Sequence, residues 1–136
     1  MTTTESNKLI AEFMGDFELI KEFKPEPDVD VTYCWKQLSN KGYGYDTTYW
    51  TDYKSGCIYH DRVCYNISWD WLMPVVEKIQ MLDIVSNLSI GSSYVCLETT
   101  NQEDEWNQVI YADDRPIDKV WLLVVEFIKW YNNNNK

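Results

Sequence analysis

Apolar residues recur at helical spacing near the start of the chain. Residues 4–14 place Leu9, Ile10 and Phe13 on one helical face. Gly15 follows at the position where a glycine commonly ends a helix. This pattern predicts a short N-terminal helix.

A second helical pattern begins after Ser68, which is a good N-cap residue. Asp70 would lie in the first turn, where a negative charge favours the exposed amides and needs no catalytic role. Pro74 should remove one backbone hydrogen bond or shift the start of the helix. Trp71 lies beside the apolar stripe and is expected in the core. The stripe consists of Leu72, Val75, Val76, Ile79 and Leu82.

The clearest helical pattern lies near the C-terminus. Asp113 or Asp114 can cap this helix, and Pro116 is tolerated in its first turn. Residues 132–136 form a polar tail that is expected to fray. The apolar stripe consists of Ile117, Val120, Val124, Phe127, Ile128 and Tyr131.

The same segment is apolar around more of its circumference than packing on one sheet face requires. Leu123 and Val125 widen the stripe, as do Trp121, Leu122 and Trp130. Because an exposed apolar patch usually marks an interface, Trp121, Leu122 and Trp130 are expected to form a homodimer contact.

Two pairs of extended segments predict β-hairpins. Residues 42–53 are rich in Tyr, Thr and Trp, and 57–65 form a second extended run after the turn at 54–56. Residues 84–99 read as another hairpin, with its turn at 91–93.

A further strand is predicted over 106–112, whereas 16–24 suit a strand or a helix equally, and the prolines of 25–28 break either one. The elements together predict an α+β fold. We expect a mostly antiparallel β-sheet with two main helices packed on it and a short N-terminal helix. One domain should span 1–136, with the frayed tail at 132–136.

The net charge of the chain limits the classes of molecule that it is expected to bind. Its 136 residues carry a formal net charge of −10, and residues 98–114 hold six acidic residues and no basic one. Such a surface repels nucleic acid phosphates and favours a protein with a basic surface. No apolar run approaches the roughly 20 residues that span a bilayer, and the N-terminus lacks signal-peptide features. We therefore expect a cytoplasmic protein without membrane or direct nucleic acid contacts.

Aromatic residues with polar tips are concentrated in one part of the sequence. Eleven Tyr and Trp residues lie from Tyr33 to Trp71, and all four Phe lie outside that span. This composition is typical of interfaces, although strands also enrich Tyr and Trp, so a sheet face whose tyrosines simply reach solvent is an equal alternative. The candidate binding residues are Tyr43, Tyr45, Tyr49, Trp50, Tyr53 and Tyr59, with Glu103, Asp104 and Glu105 of the acidic loop.

The sequence offers little catalytic or metal chemistry. Cys57, His60 and Cys64 resemble a metal-binding cluster, with Cys34 as a fourth ligand. The paired CxxC spacing is missing, and strand alternation would separate Cys57 from His60. His60 beside Asp61 lacks a nucleophile, and no familiar catalytic motif is present. No metal, other cofactor or catalytic residue is expected, and the cysteines should be reduced.

Three stretches carry a resemblance to a known family. They are NKLIAEFMG at 7–15, SWDWLMPVVEKI at 68–79 and VVEFIKWYN at 124–132. In order and spacing they resemble a set of small uncharacterised proteins encoded by Bacteroidetes phages (crAss-like and related) and by prophages. The region from 33 to 66 is longer and more aromatic than is typical of that set. The resemblance implies a phage-related origin and an α+β fold, and it carries over no activity and no catalytic residue.

These observations favour a non-enzymatic phage-related binding protein. It would inhibit a host protein, such as a defence protein in the host cytoplasm, through an acidic surface rich in Tyr and Trp. One alternative is a protein that sequesters a nucleotide-like small ligand between aromatic rings. Another is a small enzyme that uses dispersed carboxylates.

Overall fold

The structure, a computed structural model, describes residues 2–23, 32–39, 49–91, 94–99, 107–111 and 115–134. These ranges contain three helices and seven strands. The helices are α1 (Thr3–Met14), α2 (Trp69–Gln80) and α3 (Pro116–Asn134). The strands are β1 (Phe17–Phe23), β2 (Thr32–Gln37), β3 (Tyr49–Thr51), β4 (Ile58–His60), β5 (Val85–Ile90), β6 (Tyr94–Thr99) and β7 (Asn107–Tyr111).

The α+β class is confirmed, and every pairing among the described strands is antiparallel. The strands form two sheets, however, rather than the single sheet that the sequence predicts. One sheet has the order β1-β2-β4-β3 and the other β5-β6-β7. Alternation of apolar and polar residues along a strand indicates which face is buried but not which strands are neighbours. It therefore could not predict the number of sheets.

The two sheets belong to two compact units, Met1–Cys64 and Tyr65–Lys136. The division into two compact units does not test the prediction of one domain over 1–136, which stays a prediction. Within the described ranges, no helix has both the length and the apolar character needed to cross a bilayer.

In the first unit, α1 packs against β1. The helix begins with a capping box: Thr2 Oγ1 accepts from the Glu5 N–H at 3.1 Å, and Glu5 Oε2 accepts from the Thr2 N–H at 3.0 Å. It ends at Gly15, whose φ of 73° lies in the left-handed region that glycine adopts without strain. The predicted N-terminal helix and its glycine cap are confirmed, and the ambiguous segment 16–24 contains strand β1.

In the second unit, α2 packs against β5, α3 packs against β6 and β7, and the two helices contact each other. The apolar stripe predicted for α2 is buried from Leu72 to Ile79, and Trp71 is fully buried, as expected. The stripe predicted for α3 is buried except for Tyr131, which is only partly covered. Val95 and Leu97 of β6 are also fully buried in this unit.

The helix ends differ in detail from the sequence expectations. Ser68 holds the N-cap position of α2, but its side chain makes no capping hydrogen bond, and the helix continues through Pro74. Helix α3 begins at Pro116, and the Arg115 carbonyl accepts from two amides of the first turn. Asp113 and Asp114, the predicted caps, lie outside the described residues. Residues 132–134 of the predicted frayed tail are helical.

Candidate functional site

The aromatic hairpin forms as predicted: among the described residues, β3 pairs with β4, which is shorter than the predicted run 57–65. Residues 42–48 of the predicted first strand lie outside the described residues. Its turn is held by Asp52, whose carboxylate accepts from the Lys54 N–H and from the Ser55 hydroxyl, both at 3.0 Å. The Gly56 N–H donates to the Asp52 carbonyl at 2.8 Å, and Gly56 has a φ of 71°. This local network closes the turn at the residues that the sequence indicates.

The register of the four-stranded sheet separates its side chains into two faces. Glu18, Lys36, Tyr59 and Trp50 lie opposite one another across the four strands, and we call these four residues the outer row. Residues that are directly opposite in antiparallel strands share a face of the sheet. The next row across the sheet contains Trp35, only 2% exposed, and His60, which is also buried.

The outer row exposes a pair of stacked rings. The ring centroids of Trp50 and Tyr59 lie 5.9 Å apart with an interplanar angle of 19°, and Trp50 is 44% exposed. Tyr53, in the turn next to them, is fully exposed. The stacked indole and phenol rings therefore lie at one end of a sheet face, and a further phenol ring is exposed in the adjacent turn, where these rings could contact a partner.

Of the candidate binding residues, Trp50, Tyr53 and Tyr59 lie on this hairpin, and the structure stacks Trp50 on Tyr59. Tyr49 lies in β3, opposite His60 in the register. The other candidates, Tyr43, Tyr45, Glu103, Asp104 and Glu105, lie outside the described residues. Glu18 and Lys36 were not among the predicted site residues, because 16–24 suited a strand or a helix and no strand was predicted over 32–37. The alternation around Trp35 was the available signal for the second strand.

His60 lies on the buried face of the sheet, where it contacts Gln37 and Phe17. Gln37 Nε2 donates to the Ser39 carbonyl at 2.7 Å, which turns the Gln37 Oε1 toward His60 Nε2, also at 2.7 Å. Since an amide oxygen only accepts, His60 carries its proton on Nε2. The ring of Phe17 meets His60 edge to face at a centroid distance of 5.4 Å.

Burial lowers the pKa of His60 below its ordinary value of 6.5, and the nearby Asp61 only partly opposes this effect. In the unfolded chain, His60 should bind its proton near pH 6.5, whereas in the folded chain it stays neutral to lower pH. The His60 contribution to the free energy of unfolding should therefore be constant above this pH and decline as the pH falls from 6.5 to the folded-state pKa.

This prediction can be checked by urea unfolding between about pH 5 and about pH 8. Below about pH 6.5, the free energy of unfolding of the wild type should decrease relative to that of His60→Gln as the pH falls. A difference independent of pH would show that His60 has the same pKa in both states.

The cysteines do not form a site in the described part of the chain. All four are free, and no group of three or more His, Cys, Asp or Glu residues there could hold a metal ion. Burial, together with Glu98, raises the pKa of Cys96, whose Sγ lies 3.7 Å from Glu98 Oε1. A protonated thiol is a poor nucleophile, so Cys96 is unsuited to covalent catalysis.

A shallow cleft lies between the end of α2 and the start of β5. Its volume is about 250 Å³, and its lining contains neither an aromatic nor an ionisable side chain. Ligand pockets usually measure about 300–1,000 Å³ and offer converging polar or aromatic groups. The lining residues are Gln80, Val85, Ser86, Asn87 and Leu88.

The residues predicted to form a homodimer contact on α3 differ in exposure. Leu122 is 42% exposed, whereas Trp121 and Trp130 are partly buried. The ring of Trp130 packs against Phe127 at a centroid distance of 5.9 Å. The homodimer contact on α3 stays a prediction.

Comparisons of the chain with protein-family models, curated proteins and solved structures gave no match. The candidate site is therefore defined by its geometry alone: an exposed Trp50 stacked on a partly exposed Tyr59 on one face of a four-stranded sheet, and a fully exposed Tyr53 in the adjacent turn.

Proposed function

We propose that the protein is a non-enzymatic binding protein that engages a partner protein through the outer row and the hairpin turn. The observation that carries this proposal is the stack of Trp50 on Tyr59 at the surface. Tyr and Trp are enriched in binding hot spots because they bury a large apolar area while keeping a polar tip. The stack also holds both rings in place before binding, which reduces the entropy lost on association.

The charge of the protein supports a basic partner. With a formal net charge of −10, the protein attracts cationic surfaces at long range and accelerates their encounter. Together with the resemblance to phage-encoded proteins, this charge favours a host protein, such as a defence protein in the host cytoplasm. The protein would inhibit it by covering a basic surface.

Sequestration of a nucleotide-like ligand between rings has less support. A flat ligand held between two rings needs a ring separation of about 7 Å, twice the usual contact distance of about 3.5 Å between carbon atoms. Trp50 and Tyr59 have their centroids 5.9 Å apart and already contact each other, so a ligand would have to separate them. The cleft beside α2 offers no ring in its lining.

The proposal can be tested with two tryptophans of similar exposure. Trp50 lies in the outer row and is 44% exposed, whereas Trp69, at the start of α2, is 39% exposed. Wild type, Trp50→Ala and Trp69→Ala would be immobilised and exposed to a lysate of the host, and retained proteins would be identified by mass spectrometry. The binding affinity of each purified candidate would then be measured by calorimetry.

We expect Trp50→Ala to weaken binding of the specific partner by at least about 2 kcal/mol, the range of a hot spot. Its free energy of unfolding should change by no more than about 1 kcal/mol, because the ring is at the surface. Trp69→Ala should bind as the wild type does. A partner that binds both variants equally well would place the interface elsewhere and refute the proposal.

A further inference from the structure

We propose that strand β5 pairs with β5 of a second copy of this chain, joining two three-stranded sheets into one. In the order β5-β6-β7, β5 is an edge strand, so one side of its backbone has no neighbour among the described strands. Such an edge is a template for another strand. This surface is distinct from the outer row, which belongs to the other sheet.

The register identifies the backbone groups that face outward. The Gly91 N–H donates to the Tyr94 carbonyl at 2.8 Å, so these two residues begin the ladder of the β5–β6 hairpin as a hydrogen-bonded pair. Hydrogen-bonded and non-hydrogen-bonded pairs alternate along an antiparallel ladder. The pairs of Leu88 with Leu97 and of Ile90 with Val95 are therefore non-hydrogen-bonded. The N–H and C=O groups of Leu88 and Ile90 consequently point away from β6.

Strand β5 lacks the usual protection of an edge strand. Strand β7, the other edge of the same sheet, also has no charged residue or proline, but in the sequence it lies between the acidic residues of 103–105 and those of 113–114. Strand β1, an edge of the other sheet, carries Glu18, Lys21 and Glu22, and the described part of β3 has three residues. Charged side chains and short length both discourage edge pairing. Strand β5 has neither a charged residue nor a proline, and its bulge near Ser86 leaves 87–90 regular.

The charge pattern favours a second copy as the occupant. Residues 84–97 form the longest uncharged run in a chain of net charge −10. Two such chains repel each other, and the repulsion is weakest where the contacting segments carry no charge. Exposed charges further away than about 8 Å are largely screened at physiological salt. A cationic peptide, by contrast, would find no carboxylate on β5 itself.

The pairing is self-complementary about a two-fold axis. With the axis at Ser89, Leu88 of each copy lies opposite Ile90 of the other. Both residues direct their backbone groups outward, so each of the two pairs exchanges two hydrogen bonds. The side chains at the edge leave room for this approach: Ser86 and Asn87 are small and exposed, and Ile90 is 43% exposed.

The proposal is tested by measuring the mass of the full chain in solution, by sedimentation and light scattering, from about 5 to about 500 µM. We expect a concentration-dependent rise from 16.2 kDa toward twice that mass. Added salt should strengthen the dimer because it screens the repulsion, whereas it should weaken binding of a basic partner by the outer row. The amides of Leu88 and Ile90 should exchange their hydrogens more slowly as the dimer forms.

Ile90→Pro provides the specific variant. Because the Ile90 N–H points away from β6, proline there removes no hydrogen bond of the hairpin but removes a donor from the dimer contact. Two intermolecular hydrogen bonds are lost, one from each copy, so the dimer should dissociate about tenfold or more readily. Ile90→Thr keeps the N–H and the β-branched shape and should dimerise as the wild type does.

Thermal melts of the variants establish that they are folded. If Ile90→Pro does not fold, Ile90→Lys replaces it as the test variant. A lysine at the edge keeps the backbone N–H but disfavours pairing, so this variant should be a monomer. A wild type that stays monomeric at about 500 µM overturns the proposal. So does a dimer that persists in both Ile90→Pro and Ile90→Lys, and the loss of that dimer in Leu122→Asp would then place the contact on α3.

Discussion

Replacing Trp71 by Ala should lower the free energy of unfolding by about 3–5 kcal/mol, the usual cost of removing a large buried aromatic side chain. Trp71 is fully buried in the first turn of α2. Its ring meets that of Tyr65 edge to face, with a centroid distance of 5.5 Å and an interplanar angle of 87°. The variant loses this contact and leaves a cavity that the surrounding helix can only partly fill. Urea unfolding followed by circular dichroism measures the change.

Trp69→Ala is the matched control because it lies two residues away in the same helix and is 39% exposed. Its free energy of unfolding should change by about 1 kcal/mol or less. If the two variants are destabilised equally, the burial of Trp71 does not explain its contribution to the free energy of unfolding. If neither variant is destabilised, the start of α2 contributes little to the stability of this unit.

Phe127→Ala should destabilise the protein to a similar extent, by about 3–5 kcal/mol. Phe127 is fully buried on α3, and its ring lies against Trp130 at 5.9 Å and against Tyr131 at 5.8 Å. Both neighbours are on the next helical turn, so truncation leaves two rings without their contact and exposes part of the core. Thermal and urea unfolding would measure this loss.

Leu122→Ala tests the opposite side of α3, since Leu122 is 42% exposed. The free energy of unfolding of this variant should be lower than that of the wild type by no more than about 1 kcal/mol at low protein concentration. A large loss at low concentration would mean that Leu122 is covered within the chain. A loss that appears only at high concentration would support the homodimer contact predicted for this helix.

The helices were largely predictable because each carries an amphipathic stripe and a sequence signal at one end. Gly15 marked the end of α1, and Pro116 marked the start of α3. The capping residue Thr2 was not predicted, although a threonine three residues before Glu5 is a capping-box signature. The hairpins were predictable from their turns. The assignment of the strands to two sheets was not, because it depends on contacts between residues far apart in the sequence.

The candidate site shows the same limit more sharply. Trp35 and Trp50 are both strand tryptophans in the aromatic region, yet Trp35 is 2% exposed and Trp50 is 44% exposed. The difference arises from register: Trp35 lies opposite His60, and Trp50 lies opposite Tyr59, one residue along. Composition predicts that aromatic residues collect in this region, but only the pairing of β2, β3 and β4 decides which of them reach solvent.

Among the described residues two tryptophans, Trp35 and Trp71, are buried, and their burial has a spectroscopic consequence. Trp35 lies in the unit Met1–Cys64 and Trp71 in the unit Tyr65–Lys136, so each unit contains its own buried indole. Indole emission moves to longer wavelength when the ring becomes hydrated. Variants that keep only Trp35 or only Trp71, with phenylalanine at the other tryptophan positions, would therefore report the loss of structure in each unit separately. The chain carries an intrinsic fluorophore for each half and needs no attached dye.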